Sequence, residues 1–149
     1  MVESNRERTI MISGGFDPLH VGHLRMIKEA AQYGKVIVAI NSDAWLLRKK
    51  GYNFMSWEDR KELIEGYSEV WKVVSVDDTD GTVCDALYKC DPDFFANGGD
   101  RTSNNTPEKQ VCEDLNIEML WNIGGGKIRS SSDLVKEVKE KKDKLNVSR

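Results

Sequence analysis

The sequence predicts a single α/β domain built on a doubly wound, five-stranded and mostly parallel sheet. Two observations indicate this class. Short β-rich runs alternate with helix-like runs along the chain, and the second β-rich run, 35–40, is almost continuously apolar. A strand buried on both faces of a parallel sheet has this composition. The length of 149 residues suits one domain with its own core.

The composition excludes several classes of function. With 39% hydrophobic and 32% charged residues, the chain is an ordinary globular protein rather than a disordered one. A formal net charge of -3 predicts no nucleic-acid partner, and the polar start and the lack of a long apolar run predict no membrane partner. The three cysteines show no paired spacing, so we expect free thiols in a cytoplasmic protein.

The first half of the chain predicts a βαβ unit with a right-handed crossover. Its parts are a strand over 8–13, a helix over 24–33 that Gly34 ends as a C-cap, and the strand over 35–40. A basic and aromatic segment, 45–54, is predicted to be a mobile loop or a short helix.

Ser56 has the spacing of an N-cap for the next helix, which should turn Leu63, Ile64 and Tyr67 inward. The tryptophans at 45, 57 and 71 are expected in core or hinge packing, and Trp121 in the core of a strand. The remaining elements alternate in the same way and are predicted as a strand over 70–76, a helix over 82–89, a strand over 94–96, a helix from 106 to about 115, a strand over 117–123, a helix over 134–138 and a charged tail from 139.

Residues 14–23, with the sequence G-G-F-D-P-L-H-V-G-H, lie at the predicted turn from the first strand into the first helix. Ligands bind at such strand ends in open α/β sheets, and glycines before a helix N-terminus favour phosphate. Both histidines of the chain, His20 and His23, fall within this turn. The turn is therefore the first candidate for a site of chemistry.

Other polar groups follow the remaining strands and should reach the same edge of the sheet. Asn41, Ser42 and Asp43 follow the second strand, and a second glycine and hydroxyl cluster at 124–132 follows the fifth. This inventory contains phosphate donors, imidazoles and cations. It contains no evident serine, histidine and acid arrangement for acyl transfer and no G-x-x-x-x-G-K-[ST] loop.

The run at 14–23 resembles the G-x-F-D-x-x-H-x-G-H signature of the cytidylyltransferase-like nucleotidyltransferases. Three further elements resemble family motifs in the same order along nearly the whole chain. They are Trp57-Glu58-Asp59-Arg60, Asn97-Gly98-Gly99-Asp100 and Arg129-Ser130-Ser131-Ser132.

This resemblance implies a Rossmann-like fold and transfer of a nucleoside monophosphate from ATP or CTP to a phosphomonoester, with release of pyrophosphate. It implies Mg²⁺ bound with the nucleoside triphosphate, no metal site made by the protein, and a homodimer. The implied catalytic residues are His20, His23 and Lys50, although Lys49 is almost equally eligible for the lysine role. The implied nucleotide-binding residues are Gly14, Gly15, Phe16, Asp17, Lys49, Arg60, Gly98, Asp100, Arg129, Ser130, Ser131 and Ser132.

Structural alternatives stay open for several of these residues. Arg60 could lie on an exposed helix face, Asp17 could be a turn acid, and the serines at 130–132 could be an N-cap cluster. The alternative for the whole protein is a nucleotide-binding sensor or scaffold of the same fold without catalysis. A fragment of a class I aminoacyl-tRNA synthetase is disfavoured, because no Lys-Met-Ser-Lys-Ser element is present.

One stretch departs from the family pattern. Relatives often carry Arg-Thr-Glu-Gly where this chain has Gly125-Gly126-Lys127-Ile128, so Lys127 or Arg129 would have to replace that arginine. The departure disfavours a specific assignment as a glycerol-3-phosphate or phosphoethanolamine cytidylyltransferase. The Asn-Ser-Asp and Gly-Gly-Asp elements more closely resemble the heptose-1-phosphate adenylyltransferase branch.

Overall fold

A computed structural model describes residues 7–97, 107–121 and 123–124. The described chain alternates strands and helices, as the sequence predicts. The elements in chain order are β1 (Thr9–Gly14), α1 (Val21–Ala30), β2 (Lys35–Ile40), α2 (Asp43–Lys50), α3 (Trp57–Glu65), β3 (Val70–Ser75), α4 (Cys84–Cys90), β4 (Phe94–Ala96), α5 (Pro107–Leu115) and β5 (Glu118–Leu120).

The five strands form one sheet in the order β3-β2-β1-β4-β5, and all four neighbouring pairs are parallel. Successive residues of β1 face opposite sides of this sheet. Ile10 and Ile12 join a core cluster with Ile27 of α1 and Ile64 of α3, whereas Met11 joins the cluster that contains α4 and α5 residues. Helices therefore cover both faces, which confirms the doubly wound α/β prediction.

The strand order places a crevice at the carboxyl end of β1. From β1 the chain moves outward through β2 to β3 and then returns to β4 on the other side of β1. This reversal is the topological switch point at which open parallel sheets bind ligands. Residues 14–23 leave β1 at this point, so the fold places the histidine-bearing turn in the expected location.

The first helix differs from its prediction at both ends. It runs over Val21–Ala30, three residues earlier than expected, because His20 caps its N-terminus. The C-cap is Ala31, so the prediction that Gly34 ends this helix was wrong. A Cβ at Gly34 would lie 2.4 Å from the Arg8 carbonyl oxygen, so this glycine permits close approach to the chain entering β1.

The basic segment after β2 forms a helix, which is the second of its two predicted forms. Ser42 caps α2 by accepting a hydrogen bond from the Trp45 N–H at 3.0 Å. Gly51 ends the helix in a left-handed conformation with φ of 83°. Three basic residues in the last turn complement the negative end of the helix dipole.

The orientation of α3 was predicted only in part. Ser56 caps it as expected, and Ile64 is fully buried, but Leu63 is 52% exposed. Arg60 takes an inward position one helical turn before Ile64 and is 0% exposed. The spacing of apolar residues does not show that an arginine is buried. The prediction for Leu63 was therefore wrong, because Arg60 occupies the inward face of α3.

Two tryptophans lie outside the core positions expected for them. Strand β5 ends at Leu120, so Trp121 follows the strand and is only half-buried. Trp71 is 49% exposed on the edge strand β3, where the Lys35 and Lys72 ammonium groups each lie 4.8 Å from its ring centroid. The predicted helix start at Thr106, the predicted helix over 134–138 and the predicted charged tail from 139 lie outside the described residues.

Within the described ranges, no helix has the length and apolar character needed to cross a bilayer. Cys112 is buried, Cys84 and Cys90 are half-buried, and all three are free thiols, as predicted. Burial raises the pKa of the Cys112 thiol to about 11.

Truncation of neighbouring residues tests the orientation of α3. We expect Ile64→Ala to lower the free energy of unfolding by about 2–5 kcal/mol, because it leaves a cavity in a packed core. Leu63→Ala is the matched control and should cost less than ~1 kcal/mol at its exposed position. Urea titrations of both variants measure these costs, and a larger loss for Leu63→Ala would contradict the observed orientation.

Candidate active site

The turn between β1 and α1 has an unusual backbone. Phe16 adopts the left-handed region with φ of 53°, although it carries a bulky side chain and is only 3% exposed. Such a conformation costs roughly 1–3 kcal/mol and persists where surrounding contacts determine it. Here the ring packs edge-on against His23, with ring centroids 4.9 Å apart.

The two histidines cap α1 reciprocally. Nδ1 of His20 accepts a hydrogen bond from the Gly22 N–H at 3.1 Å, and Nδ1 of His23 accepts one from the His20 N–H at 3.2 Å. This is the geometry of a capping box, with imidazoles in place of the usual hydroxyl and carboxylate. The rings stack with centroids 3.9 Å apart.

Reciprocal capping assigns the tautomer of both rings. A nitrogen that accepts a hydrogen bond carries no proton, so a neutral imidazole in this position carries its proton on Nε2. His20 and His23 therefore each present an Nε2–H donor while Nδ1 serves the backbone. Two neighbouring donors at a helix N-terminus suit the oxygens of a phosphate group.

The surroundings keep His23 neutral. Burial, assisted by electrostatic interactions with His20 and Lys50, lowers the pKa of His23 from 6.5 to about 3. Protonation at Nδ1 would also remove the acceptor for the His20 N–H. At neutral pH, His23 is thus a hydrogen-bond donor rather than a cation.

Asp17 ties the turn to the segment that precedes α3. It is 1% exposed, and its two carboxylate oxygens accept hydrogen bonds from the N–H groups of Phe54 at 2.7 Å and Met55 at 2.8 Å. The structure thus gives Asp17 the role of a turn acid, which was the structural alternative. Whether it also contacts a nucleotide stays a prediction.

The two candidate lysines occupy different environments. Lys50 is half-buried and donates a hydrogen bond from Nζ to the Asp17 carbonyl oxygen at 2.7 Å. Lys49 is exposed, and its ammonium lies 4.6 Å from the centroid of the Trp45 ring. Burial lowers the pKa of Lys50, with the Lys49 and Arg60 charges adding to the effect and Asp17 opposing it. The structure therefore brings Lys50, and not Lys49, to the histidine-bearing turn.

Arg60 lies beneath the turn and donates all of its observed hydrogen bonds to protein groups. Nη1 contacts the carbonyl oxygens of Gly15 at 2.7 Å and Asn41 at 2.8 Å, and Nη2 contacts the Asp43 carboxylate at 2.7 Å. Nε donates to the Met55 carbonyl at 3.2 Å. The guanidinium is 0% exposed, so a direct contact with a triphosphate stays a prediction that this conformation does not support.

Asp78, which is not among the predicted site residues, holds the end of β2. Its carboxylate accepts from the Asn41 side chain at 3.0 Å and from the N–H and hydroxyl of Ser42 at 2.8 and 2.7 Å. Burial alone would raise the pKa of Asp78, but these hydrogen bonds reverse the effect and lower it. Its place just after β3, at the ligand edge, was the available sequence signal.

The glycines of the turn serve packing as well as the turn itself. A Cβ at Gly15 would lie 2.8 Å from a methyl carbon of Leu46, so this glycine lets α2 approach the turn. A Cβ at Gly14 would meet only the Phe16 ring at an ordinary 3.5 Å. Close approach to phosphate, which the sequence suggested for both, stays a prediction.

The remaining predicted residues lie outside the described part of the chain. They are Gly98, Asp100, Lys127, Arg129, Ser130, Ser131 and Ser132. The described strand ends do bring together the groups from β1, β2 and β3, and Asn97 follows β4 at the same edge.

The described residues do not form a metal site of their own. No group of three or more His, Cys, Asp or Glu side chains within these ranges is placed to hold an ion. The carboxylates of Asp17 and Asp78 accept hydrogen bonds with both of their oxygens.

Comparison with known proteins places this geometry in a family. The model of the cytidylyltransferase-like family matches residues 11–146, which includes the histidine-bearing turn and nearly all of the chain. The chain belongs to the cytidylyltransferase-like family. The resemblance of its motifs to this family is thereby confirmed.

Curated relatives carry two different names. The bifunctional protein HldE of Syntrophotalea carbinolica is 31% identical over 92% of this chain, which spans only 28% of that relative's length. The FAD synthase of Thermococcus kodakarensis is 31% identical over 80% of this chain and 76% of its own. These relatives differ in name, so family membership does not by itself fix the acceptor substrate.

Solved structures share the fold. The lipopolysaccharide core biosynthesis protein from Thermoplasma volcanium has a TM-score of 0.64 at 21% identity, covering 78% of this chain and 97% of that one. A putative nicotinate-nucleotide adenylyltransferase from Vibrio parahaemolyticus has a TM-score of 0.54 at 15% identity, covering 91% and 88%. Both confirm the Rossmann-like arrangement.

The neutral state of His23 makes the stability of the fold pH-dependent. Above pH 6.5 the imidazole is neutral in both folded and unfolded chains, so its contribution is fully present. Between pH 6.5 and about 3 only the unfolded chain binds the proton, and stability falls by up to ~1.4 kcal/mol per pH unit. His23→Gln keeps an acceptor for the His20 N–H but does not titrate, so its loss of stability over this window should be less steep.

Urea titrations of both proteins from pH 7 to pH 4 measure this difference. The other titrating groups are common to the two proteins, so they cancel in the comparison. Equal pH slopes would show that His23 is not held neutral by the fold.

Proposed function

We propose that this protein transfers a nucleoside monophosphate from ATP or CTP to a phosphorylated small molecule and releases pyrophosphate. The acceptor class is a sugar, polyol or alcohol phosphate. One observation carries the proposal. His20 and His23 present two Nε2–H donors at the N-terminus of α1, within the signature of a family to which the chain belongs.

The chemistry requires little from a general base. A phosphate oxygen of the acceptor is already ionised near neutral pH, and it attacks the α-phosphorus of the triphosphate. The new P–O bond forms as the bond from the α-phosphorus to the bridging oxygen of the β-phosphate breaks, and that electron pair leaves with pyrophosphate. Catalysis then consists of holding the reactants in line and stabilising negative charge on phosphate oxygens.

The described side chains suit that task. The histidines are held by backbone hydrogen bonds, so their donor groups need no reorganisation during the reaction. Lys50 adds a positive charge next to the same turn and is restrained by the Asp17 carbonyl. The proposed division of labour has His20 and His23 contacting phosphate oxygens, and Lys50 compensating charge on the leaving pyrophosphate.

The remaining expectations accompany this proposal. Mg²⁺ would enter with the triphosphate and neutralise part of its charge, as the family resemblance implies. A homodimer is proposed from the family resemblance and can be tested by sedimentation. The free thiols at 84, 90 and 112 fit a reducing compartment such as the cytoplasm.

Pyrophosphate release tests the reaction. ATP and CTP, each with Mg²⁺, are crossed with a panel of phosphomonoesters that begins with sugar 1-phosphates. We expect release with at least one pair, and about 100-fold less with His20→Ala, which loses a phosphate donor. Triphosphate binding without release for any pair would contradict the proposal and favour the sensor or scaffold alternative.

The neighbouring lysines provide a matched pair. Lys50→Gln should lower kcat by about 10²-fold or more, because it removes a charge that the fold directs to the turn. Lys49→Gln should stay within roughly threefold of the parent, since its ammonium is exposed beside Trp45. Steady-state rates with the active substrate pair decide between them, and a larger loss for Lys49→Gln would reverse the assignment.

A further inference from the structure

We propose that Arg60 is a positioning residue, which holds the peptide between Gly15 and Phe16 so that the Phe16 N–H donates to a phosphate oxygen. This inference rests on the proposed function and deepens it. The resemblance at Trp57-Glu58-Asp59-Arg60 implied direct binding of the triphosphate instead, and the structure points to a different use of the guanidinium.

The buried guanidinium holds the peptide group between Gly15 and Phe16 at its carbonyl oxygen. Nη1 of Arg60 donates to the Gly15 carbonyl oxygen at 2.7 Å from a fully buried position. The peptide bond between Gly15 and Phe16 is trans, so its carbonyl and its N–H point in opposite directions. The Phe16 N–H is therefore directed away from the buried guanidinium.

The Phe16 N–H lacks a protein partner in the described ranges. Phe16 is 3% exposed, yet its N–H makes no hydrogen bond to any residue within 7–97, 107–121 or 123–124. Buried backbone N–H groups are almost always paired. A phosphate oxygen bound between the turn and the start of α1 would satisfy this donor.

The guanidinium of Arg60 is itself held by several groups. The same Nη1 also contacts the Asn41 carbonyl at 2.8 Å, so one group joins the ends of β1 and β2. Nη2 pairs with the Asp43 carboxylate at 2.7 Å, and that carboxylate is 40% exposed. Contacts at the end of β2 and the start of α2 therefore hold Arg60 in place. Its planar guanidinium has several donors, so it can orient the Gly15–Phe16 peptide in a way that a single ammonium group cannot.

The test uses Phe16 as its own reporter. Arg60→Lys keeps the charge but loses the planar guanidinium with its several donors. Asp43→Asn removes the negative charge that pairs with Nη2 of Arg60, and Arg25→Lys on the exposed face of α1 is the matched control. The ¹H–¹⁵N resonance of the Phe16 amide is recorded for each full-length protein, first alone and then during titration with pyrophosphate, the product of the proposed reaction.

In the parent protein and Arg25→Lys, we expect the Phe16 amide resonance to move on titration. In Arg60→Lys the Phe16 amide resonance should differ from that of the parent even before titration, and pyrophosphate should bind ~10- to 100-fold more weakly. Asp43→Asn should change both quantities in the same direction, because the carboxylate holds Nη2 of Arg60. It also keeps the inference testable if Arg60→Lys fails to fold.

Two results would overturn the inference. One is an unchanged Phe16 resonance in both variants before titration. The other is weaker pyrophosphate binding in Arg60→Lys alone with a normal Phe16 response, which would indicate direct contact between Arg60 and phosphate. If the parent protein binds neither pyrophosphate nor a nucleoside triphosphate, the proposed function itself fails. If the parent binds them and only the variants behave otherwise than expected, the role of Arg60 alone is refuted.

Discussion

The site depends on the pair of hydrogen bonds by which His20 and His23 cap the first helix. Each ring gives its Nδ1 to a backbone N–H, at 3.1 and 3.2 Å. This contact begins α1 at Val21, stacks the two rings and leaves both Nε2 atoms protonated. Structure and chemistry are therefore joined in one feature, since the groups that start the helix are also the donors proposed to bind phosphate.

The two capping imidazoles keep a fixed position only if the turn that carries them is itself fixed. Two buried charged groups restrain this turn. Asp17 binds the N–H groups of the segment before α3, and Arg60 binds carbonyl oxygens at the ends of β1 and β2. Asp78 adds a third anchor at the start of α2. Buried charges are costly unless they are paired and hydrogen-bonded, so their presence here indicates that a fixed geometry at the sheet edge matters. A preorganised set of donors is what phosphoryl chemistry requires.

The sequence predicts the fold well because the signals are local. The alternation of apolar strands with amphipathic helices, and the cap at Ser56, depend on neighbouring residues. It also identifies the histidine-bearing turn. Sequence-based prediction fails where contacts with distant residues decide the orientation of a side chain. Arg60 turns inward because it donates to carbonyl oxygens just after β1 and β2, and Leu63 is consequently exposed. Likewise, the position of α2 against the turn decides that Lys50 rather than Lys49 contacts Asp17. Asp78 contacts Asn41 because β3 lies next to β2 in the sheet, and no sequence motif indicates this.

The fold directs Nδ1 of both imidazoles to backbone N–H groups and keeps His23 neutral, with its proton on Nε2. Imidazole ¹⁵N chemical shifts of the selectively labelled protein, recorded between pH 8 and pH 5, report the tautomer and protonation state of each ring directly. The account predicts an unprotonated Nδ1 and a protonated Nε2 for both histidines at neutral pH, with His23 remaining neutral to pH 5 because its pKa is lowered to about 3. A proton on Nδ1 of either ring at neutral pH, or titration of His23 near its ordinary pKa of 6.5, would contradict it.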